Sequence, residues 1–119
     1  MKQSEFRAEL TKIMPGYSWT LKKGKATDVV MIATGIQSSG SNRLSTLRVE
    51  RKDVNGSVSY TAKSAGYGTR AAWLHVSSDG SLARALRGLQ DYYENQARKY
   101  QSHATDLRVG RSGTDRPAA

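Results

Sequence analysis

Residues 44–63, LSTLRVERKDVNGSVSYTAK, decide the fold. Two runs of alternating character, 44–52 and 57–63, flank Asp53-Val54-Asn55-Gly56. Asn-Gly is the strongest short signal for a β-hairpin, because both central residues of its tight turn need positive φ. Whether the loop counts two residues or four, Leu47, Val49 and Arg51 share a face with Val58, Tyr60 and Ala62. Arg48, Glu50 and Lys52 share the opposite face with Ser59, Thr61 and Lys63. One side is apolar apart from Arg51, and the other is polar and mostly basic. Such a pattern fits an antiparallel sheet with one buried and one open face.

Upstream of the hairpin, Tyr17, Trp19 and Leu21 alternate with Ser18, Thr20 and Lys22, which predicts a half-buried strand over 17–22. Lys22-Lys23-Gly24-Lys25 reads as a polar turn. Residues 28–36, DVVMIATGI, are almost continuously apolar, as expected of a strand buried on both faces or covered by a neighbour. A helix over 4–14 places Phe6, Leu10, Ile13 and Met14 on one side, with Ser4 as a candidate cap and Pro15-Gly16 as its stop.

Downstream, Trp73-Leu74-His75-Val76 is a short apolar segment suited to a fifth strand. Ser77-Ser78-Asp79-Gly80-Ser81 announces a helix start, with Asp79 or Ser81 as the cap. The helix itself is read over 81–101. Leu82, Ala85, Leu86, Leu89, Tyr92, Tyr93, Ala97 and Tyr100 fall on one face, opposite Arg84, Arg87, Asp91, Glu94 and Arg98. Arg87–Asp91 and Glu94–Arg98 are spaced for ion pairs one turn apart. The expected architecture is α+β: a two-layer sandwich in which an antiparallel sheet of three to five strands is flanked by an N-terminal helix and a long C-terminal helix. Residues 1–101 are expected to form a single compact domain, and 102–119, rich in Ser, Gly, Thr, Asp and Arg, a loose basic tail.

The order helix–strands–helix resembles that of the double-stranded-RNA-binding domain. That family's Lys-rich entry to its last helix would fall on Asp79-Gly80-Ser81-Leu82, which holds no lysine, so no family membership follows.

Charge narrows the function classes. The 119 residues carry 19 Lys and Arg against 10 Asp and Glu, a net charge of +9. Residues 102–119 contribute only one of those nine, so the basicity belongs to the folded part. A fixed positive surface steers anions and favours phosphate contacts. With no cysteine there is no disulfide framework and no thiolate zinc site. The longest apolar run, Val29–Ala33, is far too short to span a bilayer. Residues 1–10 lack a secretory signal's apolar stretch, so the chain is read as cytoplasmic.

Catalytic chemistry is poorly supplied. His75 lies in an apolar segment, His103 at the start of the tail, and Glu5 and Glu9 on the polar side of a short helix. No nucleophile–base or metal-ligand spacing stands out, so no catalytic residue, metal or cofactor is assigned and the chain is read as no enzyme. Phosphate-contact residue types gather instead in two loops. Ser38–Arg43 offers hydroxyls, an amide and Arg43, and Ser64–Ala72 offers Tyr67, Thr69 and Arg70 beside two glycines. The open sheet face adds Thr20, Lys22, Arg48, Lys52, Thr61 and Lys63. Tyr17, Trp19 and Tyr60 are expected on the core side, which argues against an aromatic stacking platform.

The leading expectation is therefore a small basic protein that binds DNA or RNA mainly through phosphates. Its candidate contacts are Lys22, Lys23, Lys25, Arg43, Arg48, Lys52, Lys63, Tyr67, Thr69 and Arg70. The alternative is a protein-interaction module, an adaptor or inhibitor of a nucleoprotein machine, that docks the open face on an acidic protein surface.

Overall fold

The computed structural model describes residues 1–22, 29–39, 42–66 and 72–113, apart from the side chains of Asn42 and Arg43. It contains α1 (Gln3–Ile13), β1 (Ser18–Leu21), β2 (Val30–Ser39), β3 (Asn42–Val54), β4 (Ser57–Ala65), β5 (Trp73–Asp79) and α2 (Leu82–Ser112). The strands form one antiparallel sheet in the order β1-β2-β3-β4-β5, each beside its neighbour in sequence. The α+β layout, with one helix before the sheet and a long one after it, is as expected.

The β3–β4 turn follows from two residues. Val54 pairs with Ser57, so the loop is Asn55-Gly56 alone, with φ of 53° and 83°. Asp53 Oδ1 accepts the Gly56 N–H at 3.1 Å and holds the turn. This length fixes the register and sets Arg51 opposite Tyr60 and Arg48 opposite Lys63.

The chain divides into two compact units, Met1–Leu89 and Gln90–Ala119. In the first, the core joins Phe6 and Leu10 of α1 to Leu82, Ala85, Leu86 and Leu89 of α2, against one face of the sheet. The sheet contributes Leu21, Met31, Ala33, Leu47, Val49, Tyr60 and Ala62. Tyr17, Trp19 and Val58 pack at its margin, so Tyr17, Trp19 and Tyr60 lie on the side the alternation assigned them. The Trp19 ring crosses Gly35, where a Cβ would come within 2.7 Å of it, and its Nε1–H donates to the Met14 carbonyl at 3.2 Å.

Several expectations change. No side chain caps α1: Lys2 occupies the cap position and Ser4 lies inside the first turn. The segment 28–36, over its described residues 29–36, is not buried on both faces. Met31, Ala33 and Gly35 face the core, while Val30, Ile32, Thr34 and Ile36 are half-buried on the other side. The Ser38–Arg43 loop is largely strand, since β2 runs to Ser39 and β3 starts at Asn42. β5 extends past Val76 through Ser77-Ser78-Asp79, while α2 begins at Leu82, within a residue of the expected start. Asp79 Oδ1 then accepts the Ser81 N–H at 3.0 Å, and the Ser81 carbonyl accepts the Ala85 N–H at 3.0 Å as α2 begins.

The C-terminal helix differs most. It continues eleven residues past 101, so 102–112 are helical. Its buried residues stop at Leu89. From Gln90 onward no described residue is buried, and Tyr100 is 66% exposed. Within this second unit Tyr92 and Tyr93 stack edge to face, with ring centroids 5.4 Å apart. Neither Arg87–Asp91 nor Glu94–Arg98 forms an ion pair; Glu94 accepts the Gln90 side-chain amide at 3.0 Å instead. Among the described residues no helix is long and apolar enough to cross a membrane.

Candidate nucleic-acid interface

The face of the sheet opposite the core is built from four cross-strand rows, and the pairing register places every member. Ser18, Ile36, Thr46, Ala65 and Trp73 form the first; Thr20, Thr34, Arg48, Lys63 and Val76 form the second. Ile32, Glu50, Thr61 and Ser78 form the third, and Val30, Lys52 and Ser59 the fourth. Lys22, just past β1, donates its backbone N–H to the Ile32 carbonyl at 2.9 Å and extends the third row. Thr46 and Ala65 are buried; the other members are half-buried or exposed.

The centre of this face is positively charged. Arg48 and Lys63 are direct cross-strand partners, both half-buried, with Thr34 on the far side of Arg48. Side chains so paired stand about 5 Å apart at Cβ, where like charges repel and destabilise the sheet. Lys52 lies on the same strand beyond Glu50, the one acid among the rows. Among the described residues Arg48, Lys52 and Lys63 form no ion pair. Hydroxyls surround these cations, and those of Thr61 and Ser78 hydrogen-bond each other at 3.1 Å. The arrangement offers cationic heads and O–H donors to an oxyanion, which are the groups that hold phosphate.

The sequence-derived candidates divide accordingly. Lys22, Arg48, Lys52 and Lys63 share the open face. Arg43 is not in a loop: its backbone belongs to β3 and pairs with Ser38, past the irregularity between Gln37 and Ser38. Its side chain, with Lys23, Lys25, Tyr67, Thr69 and Arg70, lies outside the described residues.

The sequence reading missed two residues of this face. Trp73 pairs with Ala65 and Val76 with Lys63, so both fall on the open side, 44% and 45% exposed. His75, between them, pairs with Ser64 on the core side. A register shift at Ser64/Ala65 makes Leu74 an extra residue, and this turns Trp73 outward. No local pattern announces that bulge.

Arg51, on the core side of the hairpin with Asp53 two residues further along β3, is used internally. It is 9% exposed, donates from Nε to the Tyr60 hydroxyl at 3.2 Å and approaches Asp53 at 4.0 Å.

No protein-family model matches the chain, and no curated protein or solved structure matches it either.

Proposed function

We propose that this protein binds nucleic acid through the open face of its sheet, mainly by contacts to phosphates. The Arg48–Lys63 pair carries the reading. Two cations held opposite each other, without a carboxylate partner among the described residues, lower the stability of the free protein. A bound phosphate removes that cost and releases counterions from the nucleic acid. Lys22, Lys52 and the threonines around the pair extend the same chemistry over the neighbouring rows.

A salt titration of binding to labelled duplex DNA, single-stranded DNA and RNA tests it. If Lys22, Arg48, Lys52 and Lys63 each neutralise one phosphate, log K against log salt has a slope of about −3 on a single strand. Arg48→Gln with Lys63→Gln lowers affinity on every sequence and flattens the single-strand slope by about 1.5. Affinity that ignores both salt and this double variant rejects the reading.

A second reading is a protein-interaction module without enzymatic activity. The exposed apolar side chains of β5, Trp73, Leu74 and Val76, favour it, because β5 ends the sheet and carries neither lysine nor proline to discourage pairing. In that case binding to an acidic protein surface depends on those apolar anchors more than on the cations.

A further inference from the structure

We infer that the ligand of the open face is single-stranded nucleic acid, and that Trp73 is the platform on which one of its bases stacks. The inference rests on the phosphate-binding reading above and names the strand state that this site takes.

Trp73 lies one strand and one row from Lys63: it pairs with Ala65, two residues along β4 on the same face. With strands about 4.8 Å apart and same-face neighbours about 7 Å apart, the two backbone positions are about 8 Å from each other. A lysine side chain and an indole at that separation reach the phosphate and the base of neighbouring positions on one strand. Trp73 is 44% exposed, so it has surface to offer. Val76, next on the same face of β5 and opposite Lys63, extends the apolar patch beside the cation pair. Aromatic and cationic groups thus adjoin on one surface, which is the combination that unpaired strands require.

Sheet width argues against a duplex. Five strands span about 19 Å from edge to edge, counting four gaps of about 4.8 Å. The major groove of B-DNA is about 12 Å wide, so this face does not enter it. On a duplex only the cations would touch, at the backbone, and Trp73 would have no base face to meet. On a single strand every base has a free face. The same contrast separates nucleic acid from an acidic peptide, which presents carboxylates to Arg48 and Lys63 but no flat ring to the indole.

The test is fluorescence anisotropy with the full chain, using labelled oligo(dT), oligo(U), a duplex of equal length and an acidic peptide. The expected result is preference for the single strands, with Trp73→Ala weakening them about 5- to 100-fold and leaving the salt slope unchanged. Trp73→Phe restores most of the affinity, and duplex affinity is indifferent to both variants. Trp19 packs against the core, so its emission in Trp73→Ala reports that the variant is folded. Equal single-strand binding by folded Trp73→Ala and the parent overturns the stacking role. If Arg48→Gln with Lys63→Gln still weakens binding in that case, the phosphate reading stands alone. If neither variant matters, both fail. Tighter binding of the peptide than of any strand, lost in Trp73→Ala, overturns the inference in favour of a protein partner.

Discussion

Arg51 and Tyr60 face each other across β3 and β4 on the core side of the sheet, joined by a 3.2 Å hydrogen bond from the guanidinium Nε to the phenol oxygen. The guanidinium carbon also lies 5.9 Å from the centre of the Tyr60 ring. Tyr60 in turn meets Phe6 of α1, their ring centroids 6.4 Å apart. A charge at the margin of the core is thereby tied to the helix–sheet contact. Tyr60→Phe keeps the ring but leaves a nearly buried cationic donor short of a partner, and is expected to cost about 1–3 kcal/mol. Arg51→Met with Tyr60→Phe removes donor and acceptor together and should cost less than the sum of the single changes. Urea unfolding of the four proteins measures the coupling.

Gly35 holds space for the Trp19 ring. A Cβ at this position would meet three ring atoms at 2.7–2.9 Å. Gly35→Ala should displace the indole, break its bond to the Met14 carbonyl and lower stability by about 1–3 kcal/mol. Trp19→Val with Gly35→Ala should be less damaging than additivity predicts, because the smaller side chain vacates the space. Thermal unfolding of Gly35→Ala, Trp19→Val and the double variant decides it.

On the open face stability and binding are expected to move in opposite directions. Lys63→Gln removes a like charge opposite Arg48 and should stabilise the free protein by about 0.2–1 kcal/mol. The same change should weaken nucleic-acid binding and reduce the salt slope by about one. A Lys63→Gln protein that is both less stable and equally tight in binding would show that Lys63 serves packing alone.

Helix α2 carries two kinds of apolar residue that look alike in sequence. Leu86 belongs to the core, so Leu86→Ala should cost about 2–5 kcal/mol. Tyr100, 66% exposed, should change stability by less than about 0.5 kcal/mol on replacement by Ala. Chemical denaturation of the two variants separates the packed turns from the exposed ones.

The contrast marks how far the sequence could be read. Helical spacing puts Leu86 and Tyr100 on one stripe, since periodicity reports direction around an axis. It does not report whether anything lies there to be packed against, and burial stops at Leu89. The hairpin was more legible. Asn55-Gly56 accepts positive φ, and strand alternation then assigns each neighbour to a side, so Arg48, Lys52 and Lys63 were placed together from local chemistry. Their direct Arg48–Lys63 pairing needed the loop to be two residues long.

Amino-acid order by itself determined what depends on near neighbours: the α+β element order, the turn, the apolar side of the hairpin and the basic side opposite it. Tertiary structure alone decided what depends on distant partners. It gave β2 an open face and carried β3 through Arg43. It also inserted Leu74 as an extra residue, so that Trp73 joins the basic side rather than the core side of the sheet. The physical reason is that a strand's alternation has a period of two: one inserted residue reverses every assignment beyond it, and only the pairing of β5 with β4 shows where that residue sits.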